Sequence, residues 1–198
     1  MSNFPPLRPA LFPLPREDSS GRSISRRSLV TALAVAAPFI ATPRRTWALP
    51  SATRALRLSH LHTGEQLTVE YFSGGAYVPD AMSAINRLLR DFRTGEVFTI
   101  DAQLLDLLAG LAELTGTTQP YQVISGYRSP STNQTLRKRS KGVAVGSLHL
   151  KGRAIDIRLA DVALDRLREA ACTLRCGGVG YYPGSDFVHV DTGRVRTW

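Results

Sequence analysis

The pair Arg26-Arg27 and the uncharged run behind it divide this chain before any fold can be considered. Ser25-Arg26-Arg27-Ser28-Leu29-Val30 leads into a stretch from Leu29 to Ala41 that is rich in Ala, Val and Leu and carries no charge. A basic region, a short apolar core and an exit at Ala48 together describe an export signal. The adjacent arginines, with Ser before them, resemble the twin-arginine form of that signal. The segment ahead of it, with Phe4-Pro5-Pro6 and Phe12-Pro13-Leu14-Pro15, has neither helical nor strand periodicity. Residues 1–48 are therefore expected to be a cleaved signal with a Pro-rich opening, cut near Ala48. Residues 49–198 are left as a single domain, the size of one hydrophobic core.

The charge balance changes meaning once the leader is set apart. The chain has a net charge of +9, which by itself would suggest nucleic acid. Seven arginines against Glu17 and Asp18 place five of those charges in residues 1–48, leaving +4 for the remainder. A nucleic-acid-binding arm would spread its charges, whereas these flank an uncharged core, so no nucleic-acid partner is expected. The hydrophobic fraction of 43% is ample for a packed interior. Two cysteines cannot make a disulfide scaffold or a thiolate zinc finger. Cys172 and Cys176 sit near a helix end, where a disulfide would distort the helix, and their oxidation state stays open. No apolar run reaches the roughly 18 residues of a membrane span, so none is expected after signal removal.

The remaining pattern is mixed. Arg54–His60 and Gln66–Tyr71 alternate apolar and polar residues around His62-Thr63-Gly64-Glu65, which predicts a hairpin. Asp80 offers an N-cap to a helix over 81–93, and Asp101 to a leucine-rich helix over 102–114. Gln122–Ile124 and Ala154–Leu159 read as strands, and a helix is predicted from Asp161 to about Arg175, stopped by Gly177-Gly178. Val179–Tyr182, a Pro183-Gly184 turn and Phe187–Asp191 make a final hairpin. Hairpins and separate helices predict an α+β fold, a small antiparallel sheet flanked by helices.

Two of the four histidines fall in a pattern with a carboxylate: Ser147-Leu148-His149, then Gly152-Arg153-Ala154-Ile155-Asp156, and later Phe187-Val188-His189. His149 is placed in a loop, Asp156 in the next strand and His189 in the last hairpin. Two imidazoles and one carboxylate suit a catalytic zinc, which takes three protein ligands and keeps one position open. A lone strand histidine is more often a hydrogen-bonded structural group, so the set gains meaning from the string around it. His60 and His62 have no accompanying carboxylate motif and read as structural. Arg137-Lys138-Arg139-Ser140-Lys141 reads as a solvated basic helix face that could attract an anionic polymer.

The string Ser147-x-His149-x-x-Gly152-x-Ala154-x-Asp156, followed by Phe-Val-His, resembles the LAS-type zinc metallopeptidases. Ser125-Gly126-Tyr127-Arg128-Ser129-Pro130-x-Thr132-Asn133, Gly177–Pro183 and Phe187–Trp198 are similar to the YcbK/MepK-type murein endopeptidases among them. The resemblance runs from about Leu56 to Trp198. It implies a hedgehog/DD-peptidase-like fold, with zinc (Zn2+) held by His149, Asp156 and His189. It also implies that Arg128 polarises the scissile carbonyl, and that the general base stands three residues before the last zinc histidine. That position holds Asp186, one methylene shorter than the family's Glu. Asp191, on the strand face of His189, is the alternative base or an orienting group, and Ser147 either hydrogen-bonds near the metal or serves a plain turn. Tyr181 and Tyr182 read as hairpin packing.

The implied activity is hydrolysis of peptide cross-links between peptidoglycan stem peptides, in the periplasm, by a monomer. A D,D- or L,D-carboxypeptidase trimming stem peptides, or a non-catalytic murein-binding module, are the alternatives. Groove length separates the first and metal content the second. The cross-link type and any regulators are not legible in the sequence.

Overall fold

The computed structural model describes residues 53–140 and 142–198. The proposed leader and Lys141 of the basic cluster lie outside these residues. Alternation at the start of the domain builds β1 (Arg54–His60) and β2 (Gln66–Ser73), paired antiparallel, followed by the two-residue β3 (Ala76–Tyr77). The helix α1 (Pro79–Leu88) and the leucine-rich α2 (Ala102–Thr115) come next. Then follow β4 (Tyr121–Ser125), α3 (Pro130–Arg139), a 3-10 turn at Leu148–Lys151 and β5 (Ala154–Arg158). The chain continues through α4 (Leu164–Leu174), β6 (Gly178–Tyr182), a second 3-10 turn at Pro183–Ser185, β7 (Phe187–Asp191) and β8 (Arg196–Thr197).

The mixed α+β class agrees with the sequence reading, but the sheet is neither small nor wholly antiparallel. It has eight strands in the order β3-β2-β1-β4-β5-β7-β6-β8. The β1–β4 and β6–β8 pairs are parallel. Local alternation reveals only hairpin neighbours. The long passage through α1 and α2 returns β4 alongside β1 in the same direction, and β3 and β8 are too short to show a period. Among the described residues, no helix is long and apolar enough to cross a membrane.

The core lies where the apolar faces meet. Leu104, Leu105, Leu108 and Leu111 of α2 are buried with Leu56 and Leu58 of β1, Ile155 and Ile157 of β5, and Val188 and Val190 of β7. Removing solvent from leucine side chains stabilises by about 1.5–3 kcal/mol each, which is why α2 needs no ligand to order it. Asp101 caps it as expected, accepting from Gln103 N at 3.0 Å.

Two helix boundaries differ from the sequence reading. Helix α1 starts at Pro79 with no side-chain cap, Asp80 lying in its first turn. It ends at Leu88, short of Arg93, because Asp91 is drawn into the interior. There its Oδ2 accepts from Ser129 N at 2.8 Å and Ser129 Oγ at 2.7 Å. Helix α4 starts three residues after Asp161, whose carboxylate instead accepts from Thr117 Oγ1 at 2.8 Å.

Alternation gives β5 and β7 a second face. Ile155, Ile157, Val188 and Val190 enter the core, so Asp156, His189 and Asp191 point to the opposite side. Register completes the arrangement: Ser125 pairs with Asp156, Asp156 with His189, and His189 with Gly180. One row across four strands therefore carries the candidate chemistry.

Candidate metal centre

His149 comes to this row from outside the sheet. The 3-10 turn at Leu148–Lys151 ends at Gly152, whose φ of +62° places it in the left-handed region. A Cβ there would also lie 2.2 Å from the Thr99 carbonyl oxygen, so glycine is required twice over. The turn sets His149 Nε2 3.2 Å from His189 Nδ1 and 3.2 Å from Asp156 Oδ1. His189 Nδ1 lies 2.8 Å from Asp156 Oδ1. All three residues are buried, and they form a group that could hold a metal ion.

Each imidazole has an oxygen acceptor behind the nitrogen that faces away from the group. His149 Nδ1 donates to the Gly126 carbonyl at 2.7 Å, leaving the Nε2 lone pair toward the group. His189 Nε2 donates to Asp191 Oδ2 at 3.1 Å, while its Nδ1 faces Asp156 Oδ1. This is the arrangement in which metal-binding histidines are held by a carbonyl or carboxylate. Donor atoms about 2.0–2.1 Å from a tetrahedral ion stand roughly 3.3 Å apart, so the three separations need little adjustment to accept one.

Burial alone would raise the Asp156 carboxyl, but His149, His189 and Arg128 overcome it and hold its pKa far below the carboxylate range. Burial lowers the His149 pKa, with Arg128 adding to it and Asp156 opposing, which favours the neutral ligand form. His189 moves the other way: burial opposes, and its bonds to Asp156 and Asp191 raise it.

Asp191 is committed on both oxygens. Besides His189 it accepts from Gly178 N at 3.0 Å, Gly193 N at 2.8 Å and Arg196 Nη2 at 2.7 Å. These donors outweigh burial and keep its pKa low. Gly177 and Gly178 allow this closeness. A Cβ on Gly177 would fall 1.7 Å from the Asp191 carbonyl oxygen, and one on Gly178 would fall 2.6 Å from Asp191 Oδ2. Gly177→Ala is expected to cost about 1–3 kcal/mol through forced backbone movement, read as a lower urea midpoint with an unchanged slope.

Arg128 ion-pairs with Asp156 through Nη2 and donates from Nε to Ser125 Oγ at 2.8 Å. Asp186 sits apart from the buried group. It follows the Pro183–Ser185 turn at a φ of +53°, is exposed, and pairs with Arg158. Ser147 lines the cavity before the His149–Asp156–His189 group, a space of about 610 Å³ whose wall also includes Ser185 and Phe187 but not Asp186. Tyr182 and Trp198 close one side, Trp198 Nε1 donating to Tyr182 Oη at 2.7 Å. Gly180 makes room for that ring, which would be 2.7 Å from a Cβ there. Cys172 and Cys176 are free thiols, and Tyr181 packs on the core.

Arg196, Ser125 and Trp198 were not singled out as site residues by the sequence. Register brings Ser125 and Gly180 beside Asp156 and His189, a placement that no local pattern in the sequence encodes.

The family model described as peptidoglycan L,D-endopeptidase MepK matches residues 49–198. The peptidoglycan L,D-endopeptidase MepK of Escherichia coli is 44% identical over 176 residues, covering 88% of this chain and 97% of that protein. The protein of the same name from Shigella flexneri gives the same figures. The probable peptidoglycan L,D-endopeptidase MepK of Haemophilus influenzae is 43% identical over 146 residues, 73% of this chain and 78% of its own. The matched span contains every residue of the buried His149–Asp156–His189 group and the carbonyl and carboxylate that orient it, and the chain belongs to the peptidoglycan L,D-endopeptidase MepK family.

Proposed function

We propose that the mature protein is a zinc-dependent murein endopeptidase that hydrolyses L,D peptide cross-links of peptidoglycan in the periplasm, as a monomer with a hedgehog/DD-peptidase-like fold. The observation that carries this reading is the convergence of His149 Nε2, Asp156 Oδ1 and His189 Nδ1, with an oxygen acceptor behind the outward nitrogen of each imidazole. Zinc, when bound, supplies Lewis acidity toward water and the scissile carbonyl.

The chain's own residues do the rest. Asp191 holds His189 in orientation and, with both oxygens occupied, is a positioning group. Arg128 fixes Asp156 and, with no partner on Nη1 among the described residues, can turn it to the carbonyl oxygen, where a guanidinium stabilises developing negative charge. Asp186 is the proposed proton acceptor on the family pattern, passing the proton to the leaving amine. Its carboxylate is held on Arg158, so this role requires the Pro183–Ser185 turn to release it toward the cavity. Ser147 lines the same wall and contributes polar contact near the metal.

Incubating the mature protein with purified sacculi, with and without chelator, tests the reading. Cross-linked dimers should fall to monomers only without chelator. Stem peptides shortened by one residue with cross-links intact would establish a carboxypeptidase instead, and zinc-loaded protein that binds sacculi without releasing anything would establish a binding module.

Residues 1–48 are proposed to direct twin-arginine export with cleavage near Ala48. Arg26→Lys with Arg27→Lys should leave the precursor in the cytoplasm, because the route reads the arginine pair and not charge alone. Immunoblots of fractionated cells check this, and normal maturation of the double variant would remove the export proposal.

A further inference from the structure

Three arginines line the cavity: Arg93, Arg128 and Arg196. Two are already neutralised, Arg128 by Asp156 and Arg196 by Asp191. Arg93 is different. Among the described residues its guanidinium is in no ion pair and donates no hydrogen bond. Asp91, two positions earlier, does not serve. Its Oδ1 takes the Arg93 backbone N at 3.0 Å, and its Oδ2 takes Ser129.

What seats Arg93 is an aromatic surface. Its Cζ lies 4.1 Å from the Phe92 ring centroid, and Phe92 stacks on His62 at 4.3 Å. His62 is itself on the cavity wall. An arginine resting on a ring keeps its planar fork of N–H donors free. Burial disfavours its charge and so do Arg128 and Arg139, against a partial pull from Asp91. Arg93 is exposed on the wall of the cavity that holds the His149–Asp156–His189 group, and unpaired among the described residues it has room for an anion that a ligand brings.

We propose that Arg93 binds a free carboxylate of the stem peptide, so that the cavity selects its substrate by an acid group as well as by the scissile bond. This rests on the endopeptidase reading of the cavity. The chemistry is consistent with an L,D bond, since the D residue on its amine side bears a carboxyl group of its own. A bidentate guanidinium–carboxylate pair distinguishes an acid from the matching amide.

The test uses zinc-loaded protein and an uncleavable ligand, the monomeric stem tripeptide, as the free acid and with its carboxyls converted to amides. Wild type should bind the acid about tenfold more tightly than the amide, the scale of a partly exposed charge-assisted pair. Arg93→Gln should lose that preference by weakening acid binding alone, and Arg93→Lys should keep part of it. Unchanged affinity for the amide shows that the cavity is intact. With a cross-linked free-acid dimer, Arg93→Gln should raise KM about tenfold and leave kcat within about twofold, the pattern of lost uniform binding. Equal affinity of wild type for acid and amide, absence of binding, or a preference that survives Arg93→Gln would overturn the proposal. Acid preference dependent on Arg93 in a protein that cuts no dimer would leave the carboxylate site standing and remove the endopeptidase reading.

Discussion

Replacing His149, Asp156 or His189 singly by Ala is expected to remove most bound zinc and essentially all hydrolysis, because each change takes away one of three proposed ligands. The three variants should nonetheless fold. The leucines of α2 and the inward faces of β5 and β7 form a core that does not involve the ligand face. Asp156→Ala should be the least stable of the three. It leaves Arg128 without its carboxylate, and breaking a buried ion pair from one side costs about 3–5 kcal/mol. The histidine variants leave the neutral Gly126 carbonyl and carboxylates that keep a cation of their own, Asp156 with Arg128 and Asp191 with Arg196. Metal analysis beside urea denaturation separates the two effects. A variant that keeps full zinc stoichiometry and activity would show that its residue is not a ligand.

The second large effect concerns proton transfer. Asp186→Asn should keep zinc and lose about 10²–10⁴-fold in rate, the scale of general-base catalysis. Asp191→Asn should instead weaken zinc affinity, because it disturbs the acceptor that fixes His189, and should retain measurable turnover once zinc is saturating. The geometry gives this contrast its basis. Asp191 is saturated by His189, Arg196 and two backbone amides, whereas Asp186 is exposed with a single ionic partner. The check is turnover of a defined cross-linked muropeptide by both variants, with metal content measured alongside. If Asp186→Asn turns over like wild type while zinc-loaded Asp191→Asn is inactive, the base is Asp191.

What the sequence disclosed and what it hid follow from the range of the interactions. Period-two alternation located both hairpins, and the leucine periodicity with Asp101 located α2 almost to the residue, since those signals are local. The end of α1 was hidden because Asp91 is captured by Ser129, 38 residues on. The width of the sheet was hidden because β1 meets β4 only after two helices have intervened. At the site, a motif at fixed spacing marked His149, Asp156 and His189 as candidates. Asp191 was legible as an orienting group, but the Gly126 carbonyl, Arg196 and the ring of Trp198 acquire their positions from register and chain reversal. The pairing of Asp186 with Arg158 joins a turn to a strand 28 residues away, a contact no local pattern encodes.

The most direct test of the account is mass analysis of an L,D-cross-linked muropeptide dimer incubated with metal-free mature protein, then with the same protein after one equivalent of zinc. The expected result is an intact dimer before zinc and two monomers after it, with the gain absent in His189→Ala. Cleavage by the metal-free protein, or an intact dimer with one zinc bound per chain, would contradict it.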